Sequence, residues 1–227
     1  MFAICKGVVN LATQSPGLTL GYASAASVHY KYNNKRVAFT IIIILILLII
    51  FYRDPLIKTG FPDHVIMGPC YGTIKDIEYD KELDIHRIII FLSPFDVHTQ
   101  TMPCNGYVTG MTYDPNGRFD LSYKVNKSRF NEKMTTIITS GWFGDVKVRQ
   151  IAGKVVRRIS NPNKVGKMVM CGEKLGMIKL SSRVDIEIPN VEGLSIDIKK
   201  DDYVWGSDTQ LAHIETGVSA PGAFWYN

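Results

Sequence analysis

Val37 to Tyr52 carries no charge, and Ile41 to Ile50 is an unbroken run of isoleucine and leucine. A membrane-spanning helix uses about 20 apolar residues, with a lower limit near 17. This run is slightly short, but Tyr52 and basic residues on both flanks can extend it by reaching to the interface. So unbroken an aliphatic run is unusual in a soluble core, and the pattern predicts a membrane helix over 37–52. A cleavable signal fits poorly, because the leader is long and polar and Phe51-Tyr52-Arg53 stands where small residues belong. Lys31, Lys35, Arg36 and Arg53 flank the run, so orientation stays open. Residues 1–36 read as a polar, poorly ordered arm.

Beyond Arg53-Asp54-Pro55 the pattern changes to short strands and turns. Arg87 to Leu92 predicts a buried strand ending at Ser93-Pro94. Tyr107 to Met111 predicts another, closed by the turn Asp114-Pro115-Asn116-Gly117. Met134–Thr139 and Val146–Ile151 form a predicted hairpin around Gly141–Asp145. Leu194–Ile198 and Tyr203–Trp205 are split by the charged turn Lys199–Asp202. Val184, Ile186 and Ile188 alternate with Arg183, Asp185 and Glu187, the period of a half-buried strand with its charges on the solvated side. Ser181-Ser182 falls where a tight loop enters that strand. The predicted fold is mainly β (α+β): a single compact β-rich domain of short antiparallel strands over 53–227, preceded by one N-terminal hydrophobic membrane helix.

Composition changes this picture little. The 227 residues suit one medium domain with an appendage, and part of the 46% hydrophobic content sits in the apolar run. The net charge of +5 comes without zinc-finger spacing, an aromatic RNA-binding signature or a basic block, so no nucleic-acid partner is expected. Cys5, Cys70, Cys104 and Cys171 are scattered, as free thiols in a reducing compartment would be. His29, His64, His86 and His213 lack ligand spacing, and no metal is expected.

Five stretches carry more. They are Ser93-Pro94-Phe95-Asp96-Val97-His98; Asn131-Glu132-Lys133; Gln150-Ile151-Ala152-Gly153 with Arg157-Arg158-Ile159; Gly172 through Pro189; and Lys200 through Thr209. In this order they resemble the short form of the phosphatidylserine decarboxylase family over about three-quarters of the chain. Phe51-Tyr52-Arg53-Asp54-Pro55 resembles the start of that family's catalytic domain. The resemblance implies a precursor that cuts itself between residues 181 and 182 into a large and a small subunit. Ser182 Oγ would attack the Ser181 carbonyl, and elimination and hydrolysis would leave a pyruvoyl group, the family's covalent cofactor. That group would form a Schiff base with phosphatidylserine and yield phosphatidylethanolamine and CO2. His98 matches the family's general acid/base, since an imidazole exchanges protons near pH 7.

Two positions depart from the family. Its glycine at the scissile bond is Ser181, which is small but more restricted than glycine. Leu180–Ser181 is the alternative bond, and Ser182 is preferred because Arg183-Val184-Asp185 follows it directly. The family's Ser-Pro-Ala-Asp-Gly element reads Gly68-Pro69-Cys70-Tyr71-Gly72, so the acid that would orient the histidine is Tyr71. Tyr71, Arg183 and Asp185 are the supporting candidates, and Arg157-Arg158 reads as structure or lipid-surface contact. The expected partner is phosphatidylserine in a membrane, and a homo-oligomer is compatible with the sequence. The competing reading is a catalytically impaired relative, anchored through 37–52, that binds lipid or a partner. A pyruvoyl enzyme acting on a soluble amino acid fits the anchor poorly.

Overall fold

The computed structural model describes residues 24, 27, 35–54, 58–115, 130–153, 159–178 and 182–215, with Ser182 as main chain only. The chain divides into two compact units, Met1–Leu56 and Ile57–Asn227. In the first, the apolar run forms a helix, α1 (Lys35–Phe51). Its 17 residues begin with Lys35 and Arg36, and among the described residues no helix is long and apolar enough to cross a membrane. At 1.5 Å per residue it falls short of a hydrocarbon core about 30 Å thick. The helix predicted over 37–52 is therefore present as Lys35–Phe51, but not at a spanning length.

The second unit is built from strands. In chain order these are β1 (Val65–Met67), β2 (Tyr71–Asp80), β3 (Ile85–Leu92), β4 (Thr99–Thr101) and β5 (Gly106–Asp114). Next come β6 (Lys133–Ser140), β7 (Gly144–Ile151), β8 (Ile159–Ser160), β9 (Met168–Val169) and β10 (Lys174–Ile178). The last four are β11 (Ser182–Pro189), β12 (Leu194–Ile196), β13 (Tyr203–Trp205) and β14 (Gln210–Ile214). An eight-stranded antiparallel sheet runs β13-β2-β3-β11-β7-β6-β5-β9, and two three-stranded sheets run β1-β14-β12 and β4-β10-β8. The predicted β6–β7 hairpin is present; Gly144, at φ +69°, takes the left-handed position its turn requires. Asp114, placed in the turn predicted from the sequence, ends β5, and Asn116 and Gly117 of that turn lie outside the described residues.

One face of the large sheet supplies the core. Ile74, Ile88, Ile90, Val146, Val148, Val184, Ile186 and Ile188 meet there with no exposed surface. The opposite face of β11 departs from expectation. Arg183, Asp185 and Glu187 are 2%, 3% and 2% exposed, not solvated. Their charges are paired, which is what lets them stay buried. Arg183 Nε and a second guanidinium nitrogen donate to the two Asp185 oxygens at 2.6 and 2.7 Å. Glu187 accepts from Arg87 on β3 at 2.8 Å and from Arg149 on β7. β11 lies between β3 and β7, so both neighbours reach it from the side.

Candidate active site

Two connections leave the large sheet together and enter the same small sheet. One is residues 93–98, joining β3 to β4; the other joins β10 to β11. At the large-sheet end Ser182 pairs with Leu92. At the small-sheet end Met177 pairs with Thr99. His98 therefore sits one residue before the partner of Met177, near the end of β10. Ser181, the other half of the predicted scissile bond, lies outside the described residues, as do Leu180 and Arg157-Arg158.

His98 has no exposed surface. Its Nδ1 lies 2.8 Å from the main-chain oxygen of Asp96. A carbonyl only accepts, so Nδ1 carries a hydrogen, and in the neutral ring Nε2 is the basic nitrogen. The tautomer suits a base acting through Nε2. Asp96 fixes the ring through its backbone. Its carboxylate is used elsewhere: Oδ2 accepts from the Ser93 N–H at 2.7 Å and Oδ1 from the Tyr203 hydroxyl at 2.6 Å. Those bonds close the 93–96 turn and tie it to β13.

Tyr71 opens β2 opposite Trp205, with its ring against Gly206. Gly206 has φ +59°, and a Cβ there would come within 2.5 Å of that ring. The stretch just before Tyr71 lies along β4, since Thr101 donates from its N–H to Pro69 O at 2.8 Å and from its hydroxyl to Gly68 O at 3.3 Å. Cys70 between them is buried, and its thiol is pushed well up by burial and then by the charges of Asp96 and Asp185. Burial likewise pushes the Asp185 carboxyl up, against the pull of Arg183. Arg183 and Asp185 thus form a buried pair directly after Ser182 in β11.

Gln100 escaped the sequence reading, and Gln150 entered it only within a family-like stretch. The Gln100 amide donates to the His98 carbonyl oxygen at 2.6 Å and accepts from Gln150 at 2.9 Å, and both glutamines have no exposed surface. The available signal was Gln150 continuing the inward series of Val146 and Val148 in β7, where a buried amide must find a partner. Cys70, Cys104 and Cys171 are buried and free, and Cys5 lies outside the described residues. Among the described residues no group of His, Cys, Asp or Glu is gathered as a metal site.

The sequence is similar to those of known proteins. The sequence model of the family described as phosphatidylserine decarboxylase matches residues 73–212. A phosphatidylserine decarboxylase proenzyme of Parabacteroides distasonis is 35% identical over 184 residues, covering 78% of this chain and 82% of the relative. The proenzyme of that name from Porphyromonas gingivalis is 31% identical over 218 residues, 91% and 95% of the two chains. That from Amoebophilus asiaticus is 35% identical over 170 residues, 72% and 74%.

Proposed function

We propose a reaction for this chain from one premise: it belongs to the phosphatidylserine decarboxylase family. The reaction is decarboxylation of phosphatidylserine to phosphatidylethanolamine, by a precursor that first cuts itself between Ser181 and Ser182. The observations that support it are the buried His98, with Nδ1 on the Asp96 carbonyl, and two registers, Met177 with Thr99 and Ser182 with Leu92, which set the described ends of β10 and β11 beside the two ends of the segment that carries His98.

In the cutting step a hydroxyl must become a nucleophile near neutral pH, which requires a base. His98 Nε2 accepts the Ser182 hydroxyl proton as the oxygen attacks the Ser181 carbonyl. The proton goes to the Ser182 nitrogen as that C–N bond breaks, and an ester replaces the amide. Loss of the Ser182 α-proton expels the Ser181 carboxylate and leaves dehydroalanine on a new chain. Water then releases ammonia and leaves a pyruvoyl group at position 182.

The site suits such a group. Position 182 is the first residue of a strand that is paired on both sides, and its partner Leu92 directly precedes the segment that carries the buried His98. When formed, the group supplies a carbonyl that condenses with the substrate amine and takes up the electrons released as CO2 leaves. His98 provides the proton that replaces the lost carboxylate. Asp96 keeps the imidazole oriented, and the Arg183–Asp185 pair stiffens the strand that begins at 182. Tyr71 stands at the position of the family's orienting acid; here the Asp96 carbonyl orients Nδ1.

The apolar helix Lys35–Phe51 completes the proposal. Phe39, Ile42, Ile43, Ile46, Leu47 and Ile50 are exposed on it, a surface suited to hold the protein at the bilayer where substrate lies. Recovery in the membrane fraction, lost on deleting 1–52, is the expected result.

The test of the reaction has two stages. A denaturing gel and intact mass should show two chains, the smaller one beginning at 182 without a free amino group. Phosphatidylserine in mixed micelles should then give phosphatidylethanolamine and CO2. A single uncut chain overturns the proposal.

A further inference from the structure

The Gln150-Ile151-Ala152-Gly153 stretch has no task in the reaction above, yet Gln150 sits midway along a file of buried and half-buried amides that ends on His98. Asn163 donates from its main-chain N–H to Asn161 Oδ1 at 3.1 Å. Asn161 Nδ2 donates to Gln150 Oε1 at 3.3 Å and to the Thr136 hydroxyl at 3.0 Å. Gln150 Nε2 donates to Gln100 Oε1 at 2.9 Å, and Gln100 Nε2 donates to the His98 oxygen at 2.6 Å.

The two ends fix the sense of the file. A main-chain N–H only donates and a main-chain carbonyl only accepts, so no amide between them can turn over without facing like against like. Every NH2 group therefore points toward His98, and bonds aligned this way reinforce one another at low dielectric. The file needs room between the small and large sheets. Gly176 provides it: a Cβ there would lie 3.1 Å from Gln150 Nε2 and 2.2 Å from Ser160 O.

We propose that Gln150, acting through Gln100, is a positioning residue for His98, holding its main chain so that Nδ1 stays on the Asp96 carbonyl. The proposal rests on His98 being the acid/base of the reaction above. Neither glutamine is a catalytic residue; both act through the histidine.

Gln150→Glu tests it, because shape and volume are kept while one donor is lost. At about pH 8 the carboxylate only accepts, so Gln100 Oε1 loses its partner and the file reverses against the His98 carbonyl. Self-cutting should then be on the order of tenfold to a hundredfold slower than in the unaltered chain. At about pH 6 the buried carboxyl is protonated and donates again, so the ratio to the unaltered chain should climb toward one. A packing role alone gives no such recovery. Gln100→Met removes both bonds and should be slow at every pH. A second readout needs no activity: imidazole nitrogen shifts of His98, measured in the uncut Ser182→Ala background. They should report a single Nδ1–H tautomer, lost in Gln150→Glu at the higher pH. Cutting by both variants at the unaltered rate, or a His98 tautomer indifferent to Gln150, overturns the inference. If the unaltered chain does not cut while the tautomer still responds, the reaction fails and the positioning stands. If neither happens, both fall.

Discussion

The imidazole of His98 is held by the main chain of Asp96, at 2.8 Å, while the Asp96 side chain binds Ser93 and Tyr203. One aspartate thus shapes the turn with its carboxylate and orients the histidine with its carbonyl. The carbonyl fixes the tautomer without adding a full negative charge beside the ring.

The roles of Ser182 and His98 separate in variants. Ser182→Ala should leave one chain on a denaturing gel. His98→Ala should slow cutting by about a hundredfold or more, in line with loss of a general acid/base. In whatever fraction of that variant matures, phosphatidylethanolamine formation should fall too. Full activity in His98→Ala removes the histidine from the mechanism.

Tyr203→Phe deletes the hydroxyl that holds Asp96 Oδ1. A hydrogen bond to a charged group is worth about 1.5–3 kcal/mol, less at an exposed site such as this one. Unfolding in urea should show a loss of about 1 kcal/mol. Cutting should slow modestly, because the turn that carries His98 loses its tie to β13. An unchanged cutting rate would separate that tie from catalysis.

Asp185→Ala leaves Arg183 buried at 2% exposure without its carboxylate. Removing one partner of a buried ion pair costs about 3–5 kcal/mol. Replacing both, as Arg183→Met with Asp185→Leu, should cost clearly less, because no charge is stranded. Urea titration of the two variants checks the order; the reverse order would mean that the pair is not sealed from water.

The thiols set an alkaline limit. Burial raises those of Cys70 and Cys104, and that of Cys171 to about 12. The folded state therefore keeps them protonated while the unfolded chain ionises from about pH 8.5. Their stabilising share is complete below that value and is lost as pH climbs toward the folded values. Each thiol should contribute a fall of about 1.4 kcal/mol per pH unit once the unfolded form is ionised. Urea midpoints measured from pH 8 upward check this, and Cys171→Ala should flatten the slope. Native protein should also resist thiol reagents until it unfolds.

The sequence showed the strands well because their signal is local. Val184, Ile186 and Ile188 do face the core, and the hairpin around Gly141–Asp145 lies where its turn residues put it. The other side of β11 was misread, because Arg183, Asp185 and Glu187 look solvated until Arg87 and Arg149 are brought alongside by pairing across the sheet. His98 and the stretch before Ser182 were legible through their resemblance to a known family. That the ends of their two segments lie side by side follows from two registers, Leu92 with Ser182 and Thr99 with Met177, which no window along the chain contains. The apolar run announced a helix, and one is present over Lys35–Phe51. The carbonyl that orients His98 has no side-chain identity to read.

The position of β11 bears on what becomes of the molecule after it is cut. The new chain would begin at Ser182, already clasped by β3 and β7, and would lend β13 to β2 and β14 to β1. Separating the pieces would mean stripping the middle strand from a finished sheet, so native sizing should not see the nick. Folding beforehand is a one-chain event; afterwards it needs an encounter between two. Maturation would thus make denaturation hard to reverse, with recovery depending on dilution in a way the precursor's does not.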